Sequence, residues 1–218
     1  QFHQVAVEAF GYDDPSSDAE QILLLKRIWK CLGLENIELQ LNTIGDPSDR
    51  ELYRKELIAY FEENKSILDN DAQRRLYENP LRILDSKTPK MQEMLNNAPK
   101  LIDFISKESL KHFEMLCNIL DNHGVEYTQN DRLVRGLDYY NRTVYEYVSS
   151  DLGSQGTVAG GGRFDYLVEK LGGDNTPACG FALGLERIIL LLETKEITHH
   201  INPDIYILNL GLNARTEA

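Results

Sequence analysis

The middle of the chain differs in character from the segments on either side of it. From Asn42 to Asn122 the sequence is charged and has helical periodicity, with breaks expected at Pro80, Pro89 and Pro99. The flanking segments contain runs in which apolar and polar residues alternate, which is the period of a β-strand. The fold must therefore accommodate a helical insertion between two segments that contribute strands.

The segment before the insertion predicts a strand, a helix and a second strand. Residues 1–10 alternate as a strand, and its more apolar face, formed by the odd-numbered residues 3–9, is expected to lie on a core. The run Ser17-Asp18-Ala19-Glu20 matches a capping box and predicts the start of a helix, which Gly33 is expected to end. Residues 37–41 alternate as a second strand, and this order suits an α/β layer.

Two helices are marked most clearly within the insertion. The run Ser48-Asp49-Arg50-Glu51 matches a second capping box and predicts a helix start. The last helix ends before Gly124 and has one apolar side, formed by Leu110, Phe113, Leu116, Cys117 and Leu120. No set of residues in the insertion has the arrangement of a catalytic site. A lid or packing domain is therefore one interpretation of it.

The segment after the insertion returns to strand periodicity. Residues 142–150 alternate as a strand, and residues 157–159 are expected to pair with them in antiparallel fashion. Gly160-Gly161-Gly162 leaves the backbone bare, which predicts either the close approach of a ligand or a tight turn. A short helix is expected over residues 163–171 and a buried strand over residues 177–183.

Residues 185–193 predict a helix that is apolar nearly all round, as buried helices are. Arg187 lies in its first turn, where the helix dipole disfavours a cation. Either the side chain reaches the surface past its apolar neighbours, or a bound polyanion offsets the cost.

The segment Leu133–Asn141 carries an arginine, a glycine and two adjacent tyrosines. The fork of Arg135 suits carboxylate or phosphate oxygens, and Gly136 lets the backbone approach a ligand closely. Tyr139 and Tyr140 offer ring faces and hydroxyls to a planar polar guest. The alternative interpretation is a polar turn between two strands.

The composition restricts the classes of partner. A formal net charge of -12 argues against broad electrostatic capture of nucleic acid, which needs clustered Lys and Arg. No apolar run approaches the roughly 20 residues of a membrane span. Cys31, Cys117 and Cys179 form neither a zinc spacing nor a disulfide framework, and His199-His200 is expected to be solvated. No protein-bound metal is predicted, and a reducing cytoplasm fits these features.

Three motifs together resemble one enzyme family. The strings Arg135–Asn141 (RGLDYYN), Ala159–Asp165 (AGGGRFD) and Gly180–Arg187 (GFALGLER), in this order and spacing, resemble the histidyl-tRNA synthetases. The first two are similar to histidine-specific signatures, and the third is similar to motif 3 of class II aminoacyl-tRNA synthetases. The resemblance implies an α+β fold with a class II antiparallel sheet, flanking helices and an inserted helical domain.

The same resemblance implies a reaction. Histidine and ATP, the latter with Mg²⁺, would give histidyl-adenylate, and the histidyl group would pass to the 3' end of tRNA(His). Arg135 would be catalytic and bind the α-phosphate, and Arg187 would bind the γ-phosphate. Phe2 would stack on adenine, because the first residues resemble the Phe-x-Gln pattern at the end of class II motif 2.

Five residues would bind histidine, again by resemblance. Gln4 would bind the polar end of the amino acid, Glu8 would accept a hydrogen bond from the imidazole ring, and Tyr140 would bond the other ring nitrogen. Tyr139 would help to shape the pocket. Phe164 stands where the family usually has tyrosine, so its ring can pack there but supplies no hydroxyl.

The resemblance also predicts that the chain is part of a longer, homodimeric enzyme. It would run from the end of motif 2 to the start of the anticodon-binding domain, and alone it would have negligible aminoacylation activity. In the family the insertion can approach the tRNA acceptor stem. The expected division is a first catalytic part at 1–41, the helical insertion at 42–123, a second catalytic part at 124–194, a linker at 195–203 and the start of the anticodon-binding domain at 204–218.

Two other functions stay open at this point. The regulatory subunit of ATP phosphoribosyltransferase shares the fold and binds histidine without making adenylate. It typically lacks an intact Arg-Gly-Leu-Asp-Tyr-Tyr signature and the helical insertion, and this chain has both. The second is a synthetase-like module in a regulatory protein that senses uncharged tRNA, and the intact Arg135 and Arg187 argue against it.

Overall fold

The computed structural model describes residues 2–195, apart from the side chains of residues 154 and 155. One six-stranded sheet organises these residues, in the spatial order β1-β6-β5-β4-β2-β3. Neighbouring strands are antiparallel except for the parallel pair β2 and β3. The strands are β1 (Gln4–Phe10), β2 (Glu38–Thr43), β3 (Thr128–Gln129), β4 (Asn141–Val148), β5 (Thr157–Arg163) and β6 (Ala178–Gly184). The expected α+β fold is confirmed.

Seven α-helices accompany the sheet, and none within residues 2–195 is long and apolar enough to cross a membrane. They are α1 (Pro15–Leu32), α2 (Pro47–Glu63), α3 (Asn70–Glu78), α4 (Gln92–Asn96), α5 (Lys107–Asn122), α6 (Leu167–Lys170) and α7 (Leu185–Thr194). Short 3₁₀ segments cover Pro80–Ile83, Pro89–Met91, Leu101–Asp103 and Ser150–Gln155.

Both helix starts predicted from capping boxes were wrong by a few residues. Helix α1 begins at Pro15, and its N-cap is Asp14, whose carboxylate accepts a hydrogen bond from the Ser16 backbone N–H at 2.8 Å. Helix α2 begins at Pro47 after the N-cap Asp46. In both cases an Asp-Pro pair sets the start, because proline is pre-organised for the first helical position. Gly33 ends α1 in the left-handed conformation, as expected.

The sheet separates two hydrophobic cores. On one face α1 and α5 pack against it, with Trp29, Phe113, Tyr145 and Phe181 among the buried side chains. The second core lies on the other face, where α2, α3 and α4 pack with residues that include Val144 and Phe164. Helix α5 therefore shares its core with α1 and the sheet, whereas the helices before it share theirs with one another.

Strand β1 and helix α7 are less covered than their apolar composition suggested. Within the described residues β1 is an edge strand: Val7 packs against the first core, but Val5 is 45% exposed. In α7 only Ile188 and Leu191 are buried, while Ile189 and Leu190 are 53% and 51% exposed. The expectation of a helix buried on all sides was wrong, because apolar composition does not reveal which sides have neighbours.

The glycine run lies within a strand. Gly160, Gly161 and Gly162 belong to β5, which is longer than expected and pairs with both β4 and β6, so the tight-turn alternative was wrong. The expected helix over 163–171 is reduced to α6, because Arg163 is the last residue of β5. The predicted strand over 204–211, and all of the predicted linker except Lys195, lie outside the described residues.

Candidate functional site

One face of the sheet presents a floor of small residues. Ala6 on β1 pairs with Ala182 on β6, which pairs with Gly160 on β5, which in turn pairs with Glu146 on β4. In the next row of the same face, Glu8 lies opposite Gly180. Because side chains two residues apart share a face, these small residues leave space above the middle of the sheet.

A cleft of about 710 Å³ occupies this space. Six of the eight residues predicted for the site line it, namely Phe2, Gln4, Arg135, Tyr139, Tyr140 and Arg187. They come from the start of the chain, the segment before β4 and the first turn of α7. Ala182 and Gly160 also line the cleft, so the small-residue floor is its base.

Arg135 lies flat over Gly160 at the base of the cleft. A Cβ atom at Gly160 would stand 2.6 Å from Nη1 of Arg135, so the absence of a side chain is what admits the guanidinium. Nη1 donates to Glu146, and the guanidinium carbon lies 5.7 Å from the centroid of the Tyr140 ring. The Nε–H is buried and has no hydrogen-bond partner among the described residues. An acceptor oxygen in the cleft would satisfy it.

Glu146 belongs to the site, although the sequence analysis treated it only as a strand residue. Its Oε1 accepts from Arg135, and its Oε2 accepts from the Thr157 hydroxyl at 2.9 Å. The alternation of β4 predicts which face Glu146 occupies, but not that this face carries the cleft. A carboxylate that holds Arg135 competes with any anionic ligand for the same guanidinium.

Tyr139 and Tyr140 form a wall of two rings tilted by 33°, with ring centroids 4.5 Å apart and hydroxyl oxygens 3.5 Å apart. Phe164 lies edge-on to both rings, at centroid distances of 5.7 and 6.1 Å, and is only 6% exposed. It therefore packs behind the tyrosines and does not line the cleft. Burial, followed by the hydrogen bond with Tyr140, raises the pKa of Tyr139, so its hydroxyl stays protonated at neutral pH.

Glu8 lies beside the cleft on the same sheet face. A Cβ atom at Gly180 would stand 1.9 Å from Oε2 of Glu8, so the carboxylate lies over that glycine. Partial burial raises the pKa of Glu8. The charge of Glu8 also contributes to the raised pKa of Tyr139.

Strand β1 and helix α7 are tied together at the other side of the cleft. The Glu186 carboxylate accepts from the His3 backbone N–H at 3.0 Å and lies 2.7 Å from His3 Nδ1, and these hydrogen bonds lower the pKa of Glu186. Arg187 donates to the Thr157 carbonyl. Neither the His3–Glu186 pair nor the role of Thr157 was predicted.

A buried polar network supports the cleft from within the fold. Arg163 is 0% exposed and donates to both oxygens of Asp18, with a shortest distance of 2.8 Å, and to Asp165 at 2.9 Å. Asp18 also lies 3.0 Å from His112 Nε2. The network joins α1, α5 and β5, and sequence reasoning missed it.

The network extends to Asn141 and Asp165, each of which directly follows a predicted site residue in the sequence. Asn141 donates to Asp165 at 2.9 Å, and the Asp165 backbone N–H donates back to Asn141 Oδ1 at 2.8 Å. Asn141 follows Tyr140, and Asp165 follows Phe164. This reciprocal pair therefore fixes the tyrosine wall and the phenylalanine behind it relative to each other. Within residues 2–195 no group of three or more His, Cys, Asp or Glu side chains could hold a metal ion.

Alanine at Gly160 and at Gly161 should have opposite consequences. At Gly160 the new methyl group meets the movable end of Arg135, so we expect the affinity of the cleft for a phosphate-bearing ligand to fall about tenfold, since a misplaced charged group loses binding energy. At Gly161 it would stand 2.2 Å from the Gly180 carbonyl oxygen, so the free energy of unfolding should fall by about 1–3 kcal/mol. Calorimetric titration and urea unfolding of both variants measure these effects. The reverse pattern would show that Arg135 does not depend on the bare backbone.

Comparison with known proteins identifies the same family as the sequence motifs. A sequence profile described as histidyl-tRNA synthetase matches residues 1–188. The histidine–tRNA ligase of Methylobacillus flagellatus is 59% identical over 212 residues, which are 97% of this chain and 51% of that protein. That of Dechloromonas aromatica is 56% identical over 219 residues, covering 100% of this chain and 51% of that protein.

A solved structure has the same fold. The apo histidyl-tRNA synthetase of S. aureus is 36% identical and superposes with a TM-score of 0.75, covering 100% of this chain and 54% of that one. The chain spans about half the length of the curated relatives it matches. The names of these relatives do not favour the regulatory-subunit alternative.

Proposed function

This chain belongs to the histidyl-tRNA synthetase family, and we propose that its cleft binds histidine and ATP for the formation of histidyl-adenylate. The observation that carries the proposal is Arg135, which lies at the base of the cleft with a buried, unpartnered Nε–H. A phosphate oxygen is a strong acceptor for such a donor. A protein of the relatives' length that contains this chain would transfer the histidyl group to tRNA(His).

The proposed chemistry needs alignment more than covalent help. A carboxylate oxygen of histidine attacks the α-phosphorus of ATP, the bond to the β-phosphate oxygen breaks, and pyrophosphate leaves. The terminal ribose hydroxyl of the tRNA then attacks the histidyl carbonyl, and AMP leaves. Charge on the phosphoryl oxygens must be neutralised in the first step, and fixed donors achieve this in a closed site.

One end of the cleft suits the phosphates of ATP, which would be supplied as its Mg²⁺ complex. Arg135 is the proposed catalytic residue and would bind the α-phosphate, where its oxygens compete with Glu146 for the guanidinium. Arg187 would bind the outer phosphates. Its place in the first turn of α7 is electrostatically unfavourable for a cation, and a polyanion would offset this. Phe2 is 72% exposed and free to stack on adenine.

The histidine end would be formed by β1 and the tyrosine wall. Gln4 would bind the polar end of the amino acid, while Glu8 and Tyr140 would bond the two imidazole nitrogens. Tyr139 would complete the wall. Phe164, packed behind both tyrosines, would act by holding them in place.

The division of the chain and its partners belong to the same proposal. We retain a catalytic domain interrupted by a helical insertion over 42–123, with α5 as the part of that insertion that packs on the catalytic core. We include a homodimer and a tRNA-facing insertion in the proposal, as the resemblance to the family implies. The cytoplasm is the proposed compartment, because the three cysteines, Cys31, Cys117 and Cys179, are free.

Calorimetric titration of this chain with histidine tests the proposal. We expect Glu8→Gln and Tyr140→Phe to weaken histidine binding by about 10- to 100-fold each, since each removes a hydrogen bond to a charged or buried polar group. Histidinol should retain the imidazole contacts of histidine and lose those to the carboxylate.

Tyr77→Phe is the matched control for the tyrosine variant. Tyr77 is 53% exposed on α3, and its hydroxyl donates to Glu62, outside the cleft. Equal histidine affinity in Glu8→Gln, Tyr140→Phe and this control would contradict the assignment of the cleft.

A further inference from the structure

A second cleft, of about 430 Å³, lies between the insertion and the segment before β4. Four arginines from different elements line it: Arg50 and Arg54 on α2, Arg82 on the 3₁₀ segment Pro80–Ile83, and Arg135. We name it the arginine cleft after these four residues. Arg135 also lines the cleft of about 710 Å³ described above, which we call the main cleft. The two clefts therefore meet at its side chain.

The arginines of the insertion have unused donor capacity. Within residues 2–195, Arg50, Arg54 and Arg82 form no ion pair with a carboxylate. Arg50 donates to the Tyr140 carbonyl, and Arg54 donates to the Tyr77 carbonyl. A guanidinium carries five N–H donors, so several are left on each side chain.

The charges that line the cleft nearly balance, since Arg135 is also paired with Glu146, so unused guanidinium donors and not net charge favour an anion. Its lining includes Glu51, Glu78 and Asp138 besides the four arginines, and Asp138 is engaged by the Asn79 side chain at 3.0 Å. Burial lowers the pKa of Arg50 in spite of the opposing field of Asp46 and Asp138. A partly buried guanidinium whose desolvation exceeds its compensation by carboxylates gains from an anionic ligand.

Gly136, in the segment before β4, leaves room for the Arg82 side chain. A Cβ atom at Gly136 would stand 3.0 Å from Nη2 of Arg82, so glycine at this position lets the guanidinium lie against the loop next to Arg135. Two arginines separated by more than fifty residues in sequence are thus brought to one wall. An arginine with a purely structural role would be expected to donate hydrogen bonds to the segment before β4. The Arg82 side chain forms no hydrogen bond within the described residues.

We propose that the arginine cleft binds a phosphate group. The ligand is either a free phosphate compound, such as pyrophosphate, or a phosphodiester of a single-stranded nucleic acid, since both present the same oxygens to a guanidinium fork. The phosphodiester alternative rests on the proposed tRNA-facing role of the insertion, whereas the free phosphate alternative goes beyond the proposed function. Arg50, Arg54 and Arg82 have no proposed role in binding histidine or ATP in the main cleft.

The test is calorimetric titration of this chain with inorganic pyrophosphate in a Mg²⁺-free buffer. An Arg187→Gln background weakens competing binding in the main cleft. On this background we expect Arg82→Gln and Arg54→Gln each to lower the affinity about tenfold, the effect of losing one charge-assisted contact. Arg74→Gln is the matched control, because Arg74 is an exposed arginine paired with Asp71 on α3 and is not part of the cleft.

A triadenylate in the same titration distinguishes the two sources of phosphate. Weaker triadenylate binding in Arg82→Gln supports a phosphodiester ligand, and an effect on pyrophosphate alone supports a free phosphate compound. Unchanged affinity for both probes in Arg82→Gln and Arg54→Gln would overturn the proposal. Histidine binding, measured on the same preparations, reports separately on the main cleft, and should be the same in these variants as in the parent.

Discussion

Replacement of Arg135 by glutamine should slow histidyl-adenylate formation by about 10²–10³-fold, a rise in the barrier of roughly 3–4 kcal/mol by analogy with the loss of an oxyanion-hole donor. Glutamine keeps an amide donor but loses the charge and the two-pronged geometry. The guanidinium lies over Gly160 and is held by Glu146, so it is pre-positioned before any ligand arrives. Pre-positioned charge costs no reorganisation during the reaction, which is why its loss should affect the rate strongly.

ATP–pyrophosphate exchange in a protein of the relatives' length that contains this chain measures this rate. Arg135→Lys is the informative companion, since it keeps the charge without the fork and should recover only part of the loss. The effect should fall mainly on kcat, because the charge on the phosphoryl oxygens develops in the transition state. A rate for Arg135→Gln within twofold of the parent would remove Arg135 from the catalytic role.

Replacement of Asp18 by asparagine should lower the free energy of unfolding of this chain by about 3–5 kcal/mol. Asp18 is fully buried and receives hydrogen bonds from the equally buried Arg163, and it lies against His112. Without the carboxylate, the charge of Arg163 stays buried, and Asp165 is its remaining ion-pair partner among the described residues. Breaking one partner of a buried pair is costly for this reason, even where the intact pair contributes little.

Urea unfolding followed by circular dichroism gives the free energy, and Asp71→Asn gives the comparison. Asp71 pairs with Arg74 and Arg75 on the surface of α3, where an ion pair contributes less than about 1 kcal/mol. Equal losses in the two variants would show that the buried network is not specially sensitive to its central carboxylate.

The sequence predicted the elements of the cleft better than its contacts. Sequence patterns located α7 and every strand of the described sheet except β3, and the resemblance selected eight residues, of which six line one cleft. The contacts that were missed join distant residues. Arg163 and Asp18 meet through the packing of α1 on the sheet. Glu146 meets Arg135 because Gly160, which pairs with Glu146 in the sheet, leaves room for the guanidinium. Local patterns carry no information on such pairings.

The helix boundaries show the same limit on a smaller scale. The capping-box patterns at Ser17 and Ser48 were genuine sequence matches, but each lies just after an Asp-Pro pair that starts the helix earlier. At Ser17 the side chain donates to the Asp14 carbonyl and accepts from Arg163. Ser17 has the chemistry of a cap and is used partly for a tertiary contact, and only the three-dimensional structure distinguishes the two uses.

The pairing of β1 with β6 restricts the order in which the chain can fold. Gln4 pairs with Gly184 and Phe10 pairs with Ala178, so β1 finds this partner only after nearly all the described residues have been made. Contacts of such high sequence separation slow folding, because the intervening chain must be ordered first. During synthesis the backbone donors and acceptors of β1 are open to wrong partners, and the helices of the insertion can form long before the sheet closes.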